Sequence, residues 1–311
     1  ALVLPSLAVL AIVTSERWKP TGAEEPTLWI LGLLVGTIGL PYFLLSTTGP
    51  LVQSWVARTP WGAQVYRYFS LSNLASLVSL LSYPVLIEPR SSLLQQAWGW
   101  SIAYGVFVLL GAGTTLHVSP HWPALPPPAA GLQPADAMPA ARPRLADHLM
   151  WLALPALGSW LLLAITNHIT QNVAAIPFLW VLPLSVYLLT FVLTFESDRW
   201  YRRPVFVPLA AAMLALCAFG LQHSLGSELR TALPIYIVGL FALCMFLHGE
   251  MARLRPAGAY LTRFYLMLSL GGALGGVSVG LVAPHGLPDY YELGVVLLLC
   301  ALYGAGLWRG G

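Results

Sequence analysis

Apolar runs of about 16 to 22 residues recur along the chain, separated by short polar stretches. That spacing predicts membrane-crossing helices rather than the short alternating strands of an outer-membrane barrel. The runs fall near 1–14, 28–49, 66–86, 96–116, 149–166, 177–195, 205–221, 231–248, 264–283 and 292–308, about ten spans in all. The first is too short for a hydrocarbon core of about 30 Å. Because it opens at Ala1 with neither Met nor a polar flank, the expectation is that the sequence begins inside a larger protein.

The rhythm breaks once, at "SPHWPALPPPAAGLQPADAMPAARPRLADH", where proline and alanine are dense and no helical period survives. Proline at this density favours extended, polyproline-like chain. The expected organisation is therefore a first helical bundle over 1–116 with four spans, a Pro/Ala-rich linker over 117–148, and a second bundle over 149–311 with six.

Composition strengthens the membrane reading. Of 311 residues, 58% are hydrophobic and 9% charged, too few charges to cover a soluble domain of this length, so the lipid bilayer is the expected solvent. Twelve Trp and thirteen Tyr suit two interfacial aromatic belts. Cys217, Cys244 and Cys300 lie in apolar runs without CxxC spacing and read as small buried hydrophobes. No basic cluster extends beyond Arg202-Arg203, so nucleic acid is not an expected partner.

The basic residues also predict an orientation. With ten spans, eleven fall on one side (Arg58, Arg67, Arg142, Arg144, Arg199, Arg202, Arg203, Arg253, Arg255, Arg263, Arg309) and four on the other (Arg17, Lys19, Arg90, Arg230). The positive-inside rule then puts the linker, the "ESDRWYRRP" and "GEMARLRPAGAYLTR" loops and the C-terminus in the cytoplasm, and His168 at the opposite face.

A faint repeat supports two related halves. "RYFSLSNLASLVSLLSYPVLIEP" (67–89) and "RFYLMLSLGGALGGVSVGLVAP" (263–284) each open on Arg with an aromatic pair, carry small residues and close on Pro. If two helices are missing from the first half, both segments become the fifth span of a six-helix half. Six plus six around a long cytoplasmic loop is the major-facilitator arrangement. The alternative is that two small-residue helices simply look alike.

Four segments carry a resemblance: "GLPYFLLSTTGPLVQSWVAR" (39–58), "YFSLSNLASLVSLLSYPVLIEP" (68–89), "TNHITQNVAAIPFLWVLPLSVYLLTFVLTF" (166–195) and "FLHGEMARLRPAGAYLTRFYLMLSLGGALGGVSVGLVAP" (246–284). They resemble the membrane part of bacterial fused major-facilitator and spermidine-synthase-like proteins. The resemblance implies a multi-pass protein of the bacterial inner membrane, with no agreed substrate for its membrane part. The synthase-like half would need a strand, a Gly-rich turn and acidic residues, and no such segment is present. Aminopropyl transfer by this chain, or any enzyme activity, is therefore not expected. The run from Gly271 to Gly276 lies within an apolar span, where Gly271 and Gly275 read as a helix-packing face.

Three places gather polar side chains. Asn167, His168, Thr170, Gln171 and Asn172 are expected in a turn between spans, with Pro177 starting the next. They would either satisfy helix-end backbone groups or line a cavity that opens outward, with His168 titrating near neutral pH or contacting a ligand. In "FLHGEMARLRP", His248, Glu250, Arg253 and Arg255 form either an interfacial charge network that anchors the loop or a cytoplasmic gate. The loop does not follow the Gly-x-x-x-Asp-Arg-x-Gly-Arg-Arg pattern of major-facilitator gates. Asn73, among Ser70, Ser72 and Ser76 inside a span, reads as interhelical glue or as a substrate contact. Ser46, Thr47 and Thr48 precede Pro50, which is expected to end its helix.

Span interiors hold no Asp, Glu, Lys or Arg, whereas ion-coupled carriers usually hold an ionisable group near the midplane. Histidine spacing suggests neither metal nor haem, and no cofactor is expected. Three functions remain open: a transporter-like domain for a small solute, a non-catalytic subunit among other membrane subunits, or an anchor for a separate soluble synthase-like domain.

Overall fold

The computed structural model describes residues 26–56, 64–118, 142–172, 179–223, 229–256, 260–287 and 291–310. The 1–14 run, Pro177 and most of the Pro/Ala linker fall outside them. Every regular element among the described residues is helical: α1 (Pro26–Leu34), α2 (Leu40–Val56), α3 (Val65–Ser82), α4 (Leu93–Val118), α5 (Leu145–Asn172), α6 (Val181–Glu196), α7 (Arg203–Gln222), α8 (Leu229–Arg253), α9 (Leu261–Val277), α10 (Ala283–Gly286) and α11 (Glu292–Gly310). Short π-helical turns join α1 to α2 (Val35–Gly39), extend α3 (Tyr83–Ile87) and join α9 to α10 (Ser278–Val282). Seven of the helical segments are long and apolar enough to cross a membrane, and Val181–Glu196 and Glu292–Leu307 are shorter apolar helices.

Hydroxyl side chains explain how these helices tolerate polar residues. Thr37 donates to Leu33 O (2.6 Å), Thr48 to Leu44 O (2.8 Å), Thr166 to Leu162 O (2.7 Å) and Ser185 to Val181 O (2.7 Å). Each turns back on its own helix, which satisfies the hydroxyl without any outside acceptor. This corrects the expectation at Pro50. The helix α2 runs through that proline to Val56, and Ser46, Thr47 and Thr48 donate to the carbonyls of Phe43 and Leu44 just before it. The start of α5 is also earlier than the apolar window implies. Asp147 accepts from the Arg144 N–H at 2.7 Å, the third-residue half of a capping box, and this sets the first turn at Leu145.

The chain divides into two compact units, one of Ala1–Gly49 with Val85–Pro139 and one of Pro50–Pro84 with Ala140–Gly311. This division differs from the sequence boundary at the linker, because α3 belongs to the second unit. Within the first unit, Trp100 and Tyr104 stack along α4 at 6.0 Å.

The second unit is built around α8, which packs against α5, α6 and α7; α9 lies along α5, α11 leans on α5 and α7, and α3 packs on α6. Gly271 and Gly275 determine how closely α9 approaches α5: a Cβ at either would overlap the Leu152 or Ala156 carbonyl oxygen. Close packing of this kind is what holds apolar helices together where exclusion of water cannot. The α3–α6 seam is aromatic and polar together. Phe69 meets Phe195 edge-on at 4.9 Å, and Ser70 donates to Val192 O at 2.8 Å. Asn73 instead donates to Phe69 O of its own helix at 2.9 Å, so the interhelical bond expected of it is made by Ser70.

Candidate functional site

The polar groups of the second unit concentrate where α6 ends, α7 begins and α8 ends. Glu250 lies in the last turn of α8 with its side chain 2% exposed. A carboxylate this deeply placed must be matched by donors. Arg203, the first residue of α7, supplies two: Nε donates to Oε1 at 2.7 Å and Nη2 to Oε2. The Tyr201 hydroxyl donates a third bond to Oε1 at 2.7 Å. Burial, and then this bond to Glu250, push the Tyr201 phenol well above its ordinary range, so it stays a donor.

Glycine makes the arrangement possible. A Cβ at position 249 would fall inside the Tyr201 ring, so only a residue without one lets that ring lie against α8. Beside the pair, Arg255 donates to Asp198 at 3.1 Å and its guanidinium stands 5.4 Å from the centre of the Tyr66 ring. Tyr66 in turn donates to Pro256 O at 2.5 Å. A cavity of about 450 Å³ opens here, bordered by Thr194, Asp198, Tyr201, Arg203, Glu250 and Arg253.

His248 lies two residues before Glu250 and faces another way, because two helical steps turn the side chain by about 200°. It is fully buried, stacked on Phe191 at 3.8 Å, with Nδ1 2.9 Å from the Thr190 hydroxyl. That hydroxyl donates its one proton to Tyr187 O at 2.7 Å, so its oxygen accepts from His248 Nδ1–H. The assignment leaves Nε2 as a bare acceptor against Gly158, without a hydrogen-bond partner among the described residues. Of the four residues grouped by sequence, Glu250, Arg253 and Arg255 border the cavity, whereas His248 belongs to the interior of α5, α6 and α8.

The other sequence cluster lies elsewhere in the unit. Residues 167–172 form the last turns of α5 rather than a connecting turn, since the helix continues to Asn172 with Thr170 donating to Thr166 O at 2.8 Å. The His168 ring meets Tyr236 of α8 edge-on at 4.5 Å, Asn167 and Thr170 are half-buried, and Gln171 is exposed. The Asn172 side chain is outside the described residues. Nearby in α5, Trp160 donates to Glu292 O of α11 at 3.0 Å. Neither this cluster nor Asn73 borders the 450 Å³ cavity.

Two participants, Tyr201 and Arg203, escaped the sequence reading. They lie 49 and 47 residues before Glu250, and their only signal was the run "DRWYRRP" between two apolar windows. Comparison of the chain with protein-family models, with curated proteins and with solved structures finds no match.

Proposed function

We propose that this chain is a transporter-like integral membrane domain for a small solute, with Glu250, Arg203 and Tyr201 as an ionic latch at one end of its second bundle. The observation that carries the reading is the nearly buried Glu250 carboxylate, whose donors come from α7 and the segment before it rather than from its own helix. A cross-helix ion pair at a bundle end can be exchanged for water when the helices part, and that is what a gate requires. In this reading the arrangement is major-facilitator-like, with two helical bundles and about ten helices. The latch faces the cytoplasm of a bacterium, in keeping with the eleven-to-four distribution of basic residues. The kinship with the membrane part of the spermidine-synthase-like fusions belongs to the same proposal, as does the absence of catalysis by this chain.

A second reading has its own support. Hydroxyls in α2, α4, α5 and α6 turn back to their own helices, and Gly271 and Gly275 close the α9–α5 seam. Such a unit would serve as an accessory subunit packed among other membrane subunits, or as an anchor for a separate soluble synthase-like domain.

The two readings part in one experiment. Thr194 borders the cavity and is 1% exposed, so a cysteine placed there reports opening of that end to a membrane-impermeant maleimide in proteoliposomes. For a latch, Glu250→Gln raises the labelling rate and some small solutes change it in the wild type. A rate indifferent to Glu250→Gln and to every solute removes the latch and leaves the scaffold.

A further inference from the structure

We propose that the cavity at the α7–α8 end of the second unit binds a phosphate-bearing anion, with Arg253 as its principal ligand. Charge matching within the cavity wall points there. Three guanidinium groups, Arg203, Arg253 and Arg255, border the cavity with two carboxylates, Glu250 and Asp198. Glu250 is taken by Arg203 and Asp198 by Arg255. Arg253 remains: it is exposed at the rim, makes no hydrogen bond or ion pair among the described residues, and acts on the Glu250 carboxylate only through its charge.

Part of its role is general, since a cation in the last turn of α8 complements the negative end of that helix dipole. A helix-end cation alone would not require a cavity in front of it. The guanidinium fork grips the oxygens of a phosphate in two-point fashion, as Arg203 grips the Glu250 carboxylate, and the size and position of the site choose between the two anions. α7 adds to the same field. It starts at the cavity wall with no side-chain cap on its first turn, and its positive end lies beside Arg203.

Size and position narrow the ligand. About 450 Å³ exceeds what a bare inorganic anion fills and accommodates a phosphate with several attached heavy atoms. The site lies at the end of a helix that is long and apolar enough to cross a membrane, the level at which phospholipid headgroups sit. A phospholipid headgroup and a soluble phosphate-bearing molecule share this chemistry. The inference does not depend on the chain being a transporter.

The test is thermal unfolding of the full chain in a mild non-ionic detergent, followed by tryptophan fluorescence. Phosphatidylglycerol, phosphatidylcholine or millimolar inorganic phosphate is added to the wild type, Arg253→Gln, Arg253→Lys and, as a control outside the cavity, Arg263→Gln. Phosphatidylglycerol is expected to raise the wild-type Tm saturably and phosphatidylcholine to do far less. The half-saturating concentration should rise about tenfold or more in Arg253→Gln, since losing even one charge-assisted bond of the two-point grip costs that much. Arg253→Lys should fall between, and Arg263→Gln should match the wild type. Arg253-dependent saturation by phosphatidylglycerol alone assigns the site to a lipid headgroup, and Arg253-dependent saturation by inorganic phosphate assigns it to a soluble ligand. No saturable response to either anion, or a response that Arg253→Gln leaves unaltered, overturns the proposal.

Discussion

Replacing Arg203 by alanine is expected to destabilise the protein more than replacing Glu250 by glutamine, although the two residues form one pair. The difference lies in where each group is left. The Arg203 side chain is 43% exposed and, once unpaired, can turn to water; that of Glu250 is 2% exposed and cannot. In Arg203→Ala, Glu250 keeps the Tyr201 hydroxyl as its donor and the more distant charge of Arg253, and a stranded buried charge costs about 3 to 5 kcal/mol. The adjoining cavity admits water and puts the expectation at the lower end, about 3 kcal/mol. Glu250→Gln preserves an acceptor for Tyr201 and loses the charge-assisted part of the Arg203 bonds, about 1 to 2 kcal/mol. The double variant should cost less than the sum, with a coupling of about 1 to 3 kcal/mol, because removing the carboxylate abolishes the penalty of stranding it. Reversible unfolding in mixed detergent micelles, read by tryptophan fluorescence, gives all four corners of the cycle. Equal costs for the two single variants, or additivity within about 0.5 kcal/mol, would show that Glu250 is not held as a buried ion and refute the reasoning.

Two further outcomes test other parts of the structure. Gly271→Val and Gly275→Val should each cost about 2 kcal/mol or more, since the added atoms meet α5 backbone carbonyls that cannot yield, whereas Gly272→Ala, with open space around it, should be near neutral in the same unfolding assay. The Tyr201 phenol, raised by burial and by Glu250, makes stability fall as pH rises beyond the unfolded-state value of about 10, because only the unfolded chain then releases that proton; below that value its contribution is complete. A pH series should show a smaller decline for Tyr201→Phe than for the wild type, and identical slopes would contradict the assignment.

The helices were legible in the sequence to a degree that depends on their solvent. A backbone with only apolar side chains around it has to satisfy its own hydrogen bonds, and each apolar window in the described part of the chain is a helix, from 28–49 in α1 and α2 to 292–308 in α11. Gly271 and Gly275 were legible for a related reason: glycines four apart in an apolar span make one smooth face, and here that face meets α5. Helix ends were less so. Pro50 and the 167–172 cluster looked like stops, but α2 runs through the proline to Val56 and α5 runs to Asn172, with hydroxyls in both bonding back to the preceding turn.

Partner choice was decided only in three dimensions. His248 and Glu250 stand two apart in sequence and read as one interfacial group, yet helical rotation sends the first to Thr190 and Phe191 and the second to Arg203 and Tyr201. Asn73 and Ser70 share a helix, and which of them crosses to α6 depends on the seam against Val192. The sequence by itself determined that this chain consists of membrane-grade helices, because composition and period act within a single segment. Which charge is buried, which is matched and which faces a cavity depended on the tertiary structure, because those properties arise from side chains some fifty residues apart arriving at one helix end.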